Sequence, residues 1–86
     1  MDFKLDWDPL KSESLKRTRG ISFEELIRCT FVTIERHPTK IHQRVFLFER
    51  LGYIWAVPFV INENGIFLKT AYPTRKMTKK YRRGDI

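Results

Sequence analysis

Apolar and polar residues alternate where the chain begins: Phe3, Leu5 and Trp7 are separated by Lys4, Asp6 and Asp8. That two-residue period predicts a short, half-buried strand. The period then lengthens. Asp8 is a good helix N-cap, Pro9 suits the first helical position, and Gly20 suits a left-handed C-terminal cap, so a helix is predicted from Pro9 to about Arg19. Its apolar stripe is thin, mainly Leu10 and Leu15. Lys11, Lys16, Arg17 and Arg19 surround it, with the basic residues gathered toward the end that the helix dipole favours. A second helix follows at once. Ser22-Phe23-Glu24-Glu25 is a capping box, Ile21 ahead of it can staple onto Leu26, and Phe23, Leu26 and Ile27 share one face. This helix is short and ends near Cys29.

From Phe31 the pattern becomes strand-like. Residues 31–36, 44–50, 53–61 and 66–72 are dominated by β-branched and aromatic side chains. They are separated by His37-Pro38-Thr39-Lys40, by Leu51-Gly52 and by Asn62-Glu63-Asn64-Gly65, the last a hairpin turn. Sequential strands with short connections predict an antiparallel meander. Pro58 removes a ladder donor in the third of these strands, so a bulge or an edge is expected there. After Tyr72-Pro73, Met77 and Tyr81 stand four apart, which predicts a helical turn held to the sheet by those two residues. The fold class is therefore α+β: two N-terminal helices packed on a mainly antiparallel sheet of four to five strands, with a short C-terminal helical segment, all in one domain over residues 1–86.

Composition supports a folded domain. The chain is 42% hydrophobic and 14% aromatic, enough for a compact centre, although 86 residues bury only a modest core. No apolar run approaches the roughly 18 residues that cross a bilayer, and the acidic start MDFKLDWD does not read as a secretory signal. A lone Cys29 forms no internal disulfide. A cytoplasmic setting is expected, with Cys29 as a packed thiol rather than a nucleophile. Trp7 and Trp55 read as core residues. His37, beside Pro38 in a turn, reads as a loop residue. Cys29, His37 and His42 lack the close pairs of zinc ligands, and the four glycines form no phosphate loop, so neither metal nor cofactor is expected.

Charge changes the picture more. Seventeen Lys and Arg stand against ten Asp and Glu, giving +7. Seven basic residues (Lys69, Arg75, Lys76, Lys79, Lys80, Arg82 and Arg83) lie between Ile66 and Arg83, with no acid among them. The remaining 68 residues hold ten basic and ten acidic side chains, so the whole excess sits in the last strand and tail. A one-sided concentration of this kind suits docking of phosphates, because neutralising several of them releases counterions. A solvated tail that binds an acidic partner segment is the plainer alternative.

The order of motifs resembles that of BrnT-like toxins. Trp7-Asp8-Pro9 with Lys11, then Gly20-Ile21-Ser22-Phe23-Glu24-Glu25, resembles the family's opening. Glu49-Arg50-Leu51-Gly52 between two strands, and the stretch from Phe67 to Tyr81, parallel its later part. The resemblance covers nearly the whole chain. It implies a RelE-like fold and a type II toxin that inhibits translation by cutting RNA, with ribosome-bound mRNA as one candidate substrate. It also implies a cognate DNA-binding antitoxin as partner. One departure is clear: where the family has Ser-Ala-Arg, this chain has Thr70-Ala71-Tyr72, and Arg75 comes three residues later.

Metal-independent RNA cleavage uses the 2′-OH as nucleophile. The protein must help remove its proton, stabilise charge on the phosphorus and protonate the leaving oxygen. Arg75 is the first candidate for the charge, with Lys69, Lys76, Lys79, Lys80, Arg82 and Arg83 as RNA contacts. Tyr81 or Tyr72 could stack on a base or donate a proton. Glu49, His42 or a lysine could act as base. Each has a plainer reading: Tyr81 as a core anchor beside Met77, Glu49 with Arg50 as cross-strand charges, His42 as a polar residue at a strand start. A non-catalytic nucleic-acid-binding or antitoxin-binding module is the alternative function.

Overall fold

The computed structural model describes residues 4–86. The elements follow in the order β1 (Lys4–Trp7), α1 (Pro9–Arg19), α2 (Phe23–Leu26), β2 (Thr30–Arg36), β3 (Arg44–Arg50), β4 (Tyr53–Asn62), β5 (Gly65–Leu68), β6 (Tyr72–Pro73) and α3 (Arg75–Arg82). The class is α+β, and β2 to β5 form the expected antiparallel meander. Phe3, which the alternation assigns to the first strand, lies outside the described residues.

Three expectations need correction. The sheet is mixed and holds six strands when the two-residue β6 is counted, in the order β1-β5-β4-β3-β2 with β6 also on β4. β1 joins it parallel to β5, from Lys4↔Gly65 to Trp7↔Leu68. Gly65 makes this approach possible. Its φ is +135°, and a Cβ there would stand 2.3 Å from the Lys4 carbonyl oxygen. The second correction concerns Pro58. Pairing between β3 and β4 passes through Val45↔Pro58 without a shift. The irregularity lies on the other side of β4. The Pro58 carbonyl accepts from the Lys69 N–H at 2.8 Å, and in an extended strand the N and C=O of one residue point the same way. The missing donor therefore faces the break between β5 and β6. Registers Phe59↔Leu68 and Ala56↔Tyr72 leave residues 69–71 opposite only Val57 and Pro58, a one-residue bulge. The predicted strand over 66–72 is thus two strands with a bulge between them.

Alternation along β4 sends its side chains to two separate clusters. Trp55, Val57 and Phe59 pack with Phe48 and Leu68 beneath Leu15, Ile21, Phe23 and Leu26 of the α1–α2 region. Ile54 and Ala56 pack with Val45 and Leu47 on the opposite face, joined by Tyr72, Met77 and Tyr81. The N-terminal helices cover one face and α3 covers the other.

The expected stripe on α1 also shifts. Leu10 is 73% exposed, and the buried residues are Leu15 and Ser12. The reason is polar. The Ser12 hydroxyl accepts from the Phe23 N–H (3.0 Å) and donates to the Glu24 carboxylate, tying α1 to the first turn of α2. Lys16 Nζ reaches both oxygens of Glu25 at 2.9 Å. That lysine, helped by the Ser22 N–H and hydroxyl of the capping box, holds the Glu25 carboxyl down at about 2. Trp55 is a core residue as expected, and Trp7 packs partly buried against the same cluster, its ring 5.9 Å from that of Phe23.

Candidate nucleic-acid interface

α3 is fastened to β4 by two threonines. Thr74 is its N-cap, accepting from the Met77 N–H at 3.2 Å, and its own N–H donates to the Ile54 carbonyl at 2.9 Å. Thr78 is buried. Its hydroxyl donates to the Thr74 carbonyl (2.7 Å) and accepts from the Ile54 N–H (2.9 Å). Met77 and Tyr81 complete the attachment from the next turns, as their spacing predicted.

With that face committed to the sheet, the opposite face is entirely basic. At 3.6 residues per turn, Arg75, Lys76, Lys79, Lys80 and Arg83 fall within an arc of about 140°. They line one open groove of about 470 Å³. Four of the five are exposed and Lys80 is half-buried. Arg83 also meets Asp85 at 3.2 Å, an exposed pair worth little.

The other two members of the basic cluster stand outside this groove. Arg82 donates to the Gly52 carbonyl in the β3–β4 turn at 3.3 Å. Lys69 sits on the bulge with Nζ 5.7 Å from the centre of the Phe67 ring. Phe67 alternates with Ile66 and Leu68, which pack under α1 and α2, so Phe67 and the ammonium above it lie on the α3 side of the sheet. The α1 side is different. There Lys16 is tied to Glu25, and the Arg19 guanidinium donates to the Ala71 carbonyl at the bulge.

The candidate catalytic residues do not converge. Arg75 lies in the groove near the start of α3. Glu49 accepts from the Gly52 N–H at 2.8 Å, at the turn that Arg82 reaches. Arg82 is seven residues from Arg75, about 10 Å along the helix axis. Tyr81 packs against the apolar cluster beneath the helix, and His42 is exposed in the β2–β3 loop. His37 has the loop role expected of it: Nδ1 accepts from the N–H groups of Thr39 (3.2 Å) and Lys40 (3.0 Å). The Cys29 thiol donates to the Glu25 carbonyl at 3.4 Å and packs at the margin of the core. Among the described residues no group of three or more His, Cys, Asp or Glu is placed to hold a metal ion, and no helix is long and apolar enough to cross a membrane.

A second concavity adjoins the groove, and charge counting along the sequence does not reveal it. Glu35 and Arg36, at the end of β2, join Tyr72, Thr74 and Lys76 around a floor of Val45, Ala56 and Met77. Its volume is about 320 Å³. Lys76 lines both concavities, so the two adjoin at that side chain. The sequence carries two signals of it: the strand alternation, which separates Glu35 from its neighbour Arg36, and Tyr72, already a candidate for stacking on a base.

No family model, no curated protein and no solved structure matches the chain.

Proposed function

We propose that this chain docks single-stranded RNA along α3 and cleaves it, acting as the toxin of a type II toxin–antitoxin pair with a RelE-like architecture. The observation that carries the docking is the gathering of five basic side chains into one groove on a helix whose other face is committed to the sheet. The motif resemblance carries the toxin assignment, together with a cytoplasmic setting and a DNA-binding antitoxin as partner. In the proposed reaction the ribose 2′ oxygen bonds to phosphorus as the P–O5′ bond breaks. This leaves a 2′,3′-cyclic phosphate and a 5′-OH, and a proton passes from the first oxygen to the second. Arg75 stabilises the charge that builds on phosphorus, while Lys76 and Lys79 hold the flanking phosphates. Induction in a bacterial host, with mapping of RNA 5′ ends, tests this: wild type arrests growth and creates new ends, and Arg75→Ala weakens both. Arrest without new ends removes the nuclease and leaves a toxin of another kind.

One observation favours a second reading. Neither Glu49 nor His42 lines the groove that holds Arg75, and Tyr81 lies beneath the helix. A domain that binds RNA or an acidic antitoxin segment without cutting anything fits that arrangement. It predicts salt-sensitive binding with the RNA recovered intact.

A further inference from the structure

We propose that the pocket beside the start of α3 is a nucleobase site that reads guanine, with Glu35 as the reader and Tyr72 as the stacking platform. The inference rests on RNA docking along α3 and gives that docking a base preference. Three observations support it. The pocket adjoins the groove at Lys76, which lines both, so a strand held by that lysine lies next to it. Its composition suits a base. Tyr72 pairs with Ala56 in the sheet and lines the pocket together with Met77 on the α3 face, which puts an aromatic ring in its wall, and the volume of about 320 Å³ is at the scale of small-ligand pockets. Single-stranded RNA is read by splaying out a base and stacking it on such a ring.

The third observation is Glu35 itself. It stands opposite Val45, whose side chain belongs to the α3-side cluster, so the carboxylate lies on the pocket's face of the sheet. Arg36 and Lys76 line the same pocket. Among the described residues none of these three charged side chains is engaged in an ion pair or side-chain hydrogen bond, whereas the other face of the protein ties up Lys16 and Arg19. An uncommitted carboxylate in a cationic surround accepts hydrogen bonds and repels phosphate. It therefore reads a base edge rather than the backbone. Its two oxygens match adjacent donors, and the Watson–Crick edge of guanine presents two, N1–H and N2–H. Adenine and cytosine present one amino group there, and uracil one imino N–H.

The test uses the full chain and fluorescein-labelled decamers of uridine, all-U or with one central guanosine, adenosine or cytidine. Every ribose is 2′-O-methylated so that cleavage cannot occur. Anisotropy titrations should show the guanosine decamer binding about ten-fold tighter than all-U, the discrimination expected of a bidentate pair. Glu35→Gln should bring the two within about two-fold while tightening all-U binding, because a negative charge leaves the site. Tyr72→Phe should keep the preference, and Tyr72→Ala should reduce it, with circular dichroism confirming that each variant is folded. A merely electrostatic role for Glu35 would shift all four decamers equally and overturns the proposal, as does a guanosine preference that survives Glu35→Gln. Equal, salt-sensitive binding of all decamers rejects the pocket while leaving RNA docking intact. No salt-sensitive binding of any decamer rejects both.

Discussion

The basic face of α3 has a quantitative consequence. Each phosphate neutralised on single-stranded RNA contributes about −0.7 to the slope of log K against log salt, so five contacts give a slope of about −3.5. Raising salt from about 50 to about 200 mM then weakens binding by about 130-fold. Asp85 does not lower this figure by much, because its pair with Arg83 is exposed and opens easily. The perturbation is the double substitution Lys79→Gln with Lys80→Gln. Both residues line the groove, and glutamine matches lysine in helix propensity, so α3 persists. Three remaining contacts give a slope of about −2.1 and a loss of about 20-fold over the same salt range. Arg17→Gln is the control: that exposed cation is on α1, across the sheet from α3, and its removal should leave the slope unchanged. Anisotropy of a labelled, 2′-O-methylated oligouridine measures all three proteins. A wild-type slope shallower than about −1.5, or a control that shifts it as far as the double variant, refutes the assignment of the interface to α3.

Three further outcomes are expected. Thr78→Val keeps the shape but leaves the N–H of fully buried Ile54 without its acceptor, at a cost of about 1–3 kcal/mol. In a domain of this size thermal unfolding should then fall by about 4–8 °C per kcal/mol, and a change under about 2 °C would show that the hydroxyl does not hold the helix. Leu51 adopts φ +52° at a turn position where it is 90% exposed, a left-handed conformation that costs an L-residue roughly 1–2 kcal/mol and that asparagine tolerates. Leu51→Asn should therefore raise the melting temperature by several degrees, and no rise counts against strain at this turn. The Glu25 carboxyl is held at about 2 against an ordinary 4.5, so its ion pair with Lys16 stabilises the fold fully above about pH 4.5 and stops doing so as pH falls toward 2. The melting difference between wild type and Glu25→Gln should be constant above that range and vanish across it; a difference that persists at pH 2 would assign it to another cause.

What the sequence made legible was local. The Asp8-Pro9 start, the Gly20 stop and the Ser22–Glu25 capping box each act within four residues, and each is present. The Met77–Tyr81 spacing marked the buried side of α3 because helical neighbours share a face, and by elimination it marked the basic side too. Long-range pairing was not legible. β1 has four residues and no turn to its partner, and only the backbone at Gly65 shows why Lys4 fits there. Pro58 announced an irregularity, but which of its two neighbours would bulge depended on where its nitrogen faced. Leu10 looked like core because an apolar residue near the stripe usually is, while Ser12 took the inner position through hydrogen bonds that no hydropathy pattern encodes.

The same distinction applies to the candidate site. Summing charge along the chain finds α3, where every contribution has one sign. It cancels Glu35 against Arg36, which are adjacent in sequence yet make no ion pair with each other in the fold. Only the pairing of Glu35 with Val45 and of Tyr72 with Ala56 brings that carboxylate and that ring to one pocket. Phosphate docking needs charge density, which a sequence records. Selecting a base or a scissile bond needs a concavity with unlike groups on its walls, and here that concavity meets the cationic track at one residue, Lys76. Any selectivity this chain has for one RNA over another should therefore respond to changes around Lys76, Glu35 and Tyr72, while changes at Lys79 and Lys80 should weaken all RNAs alike.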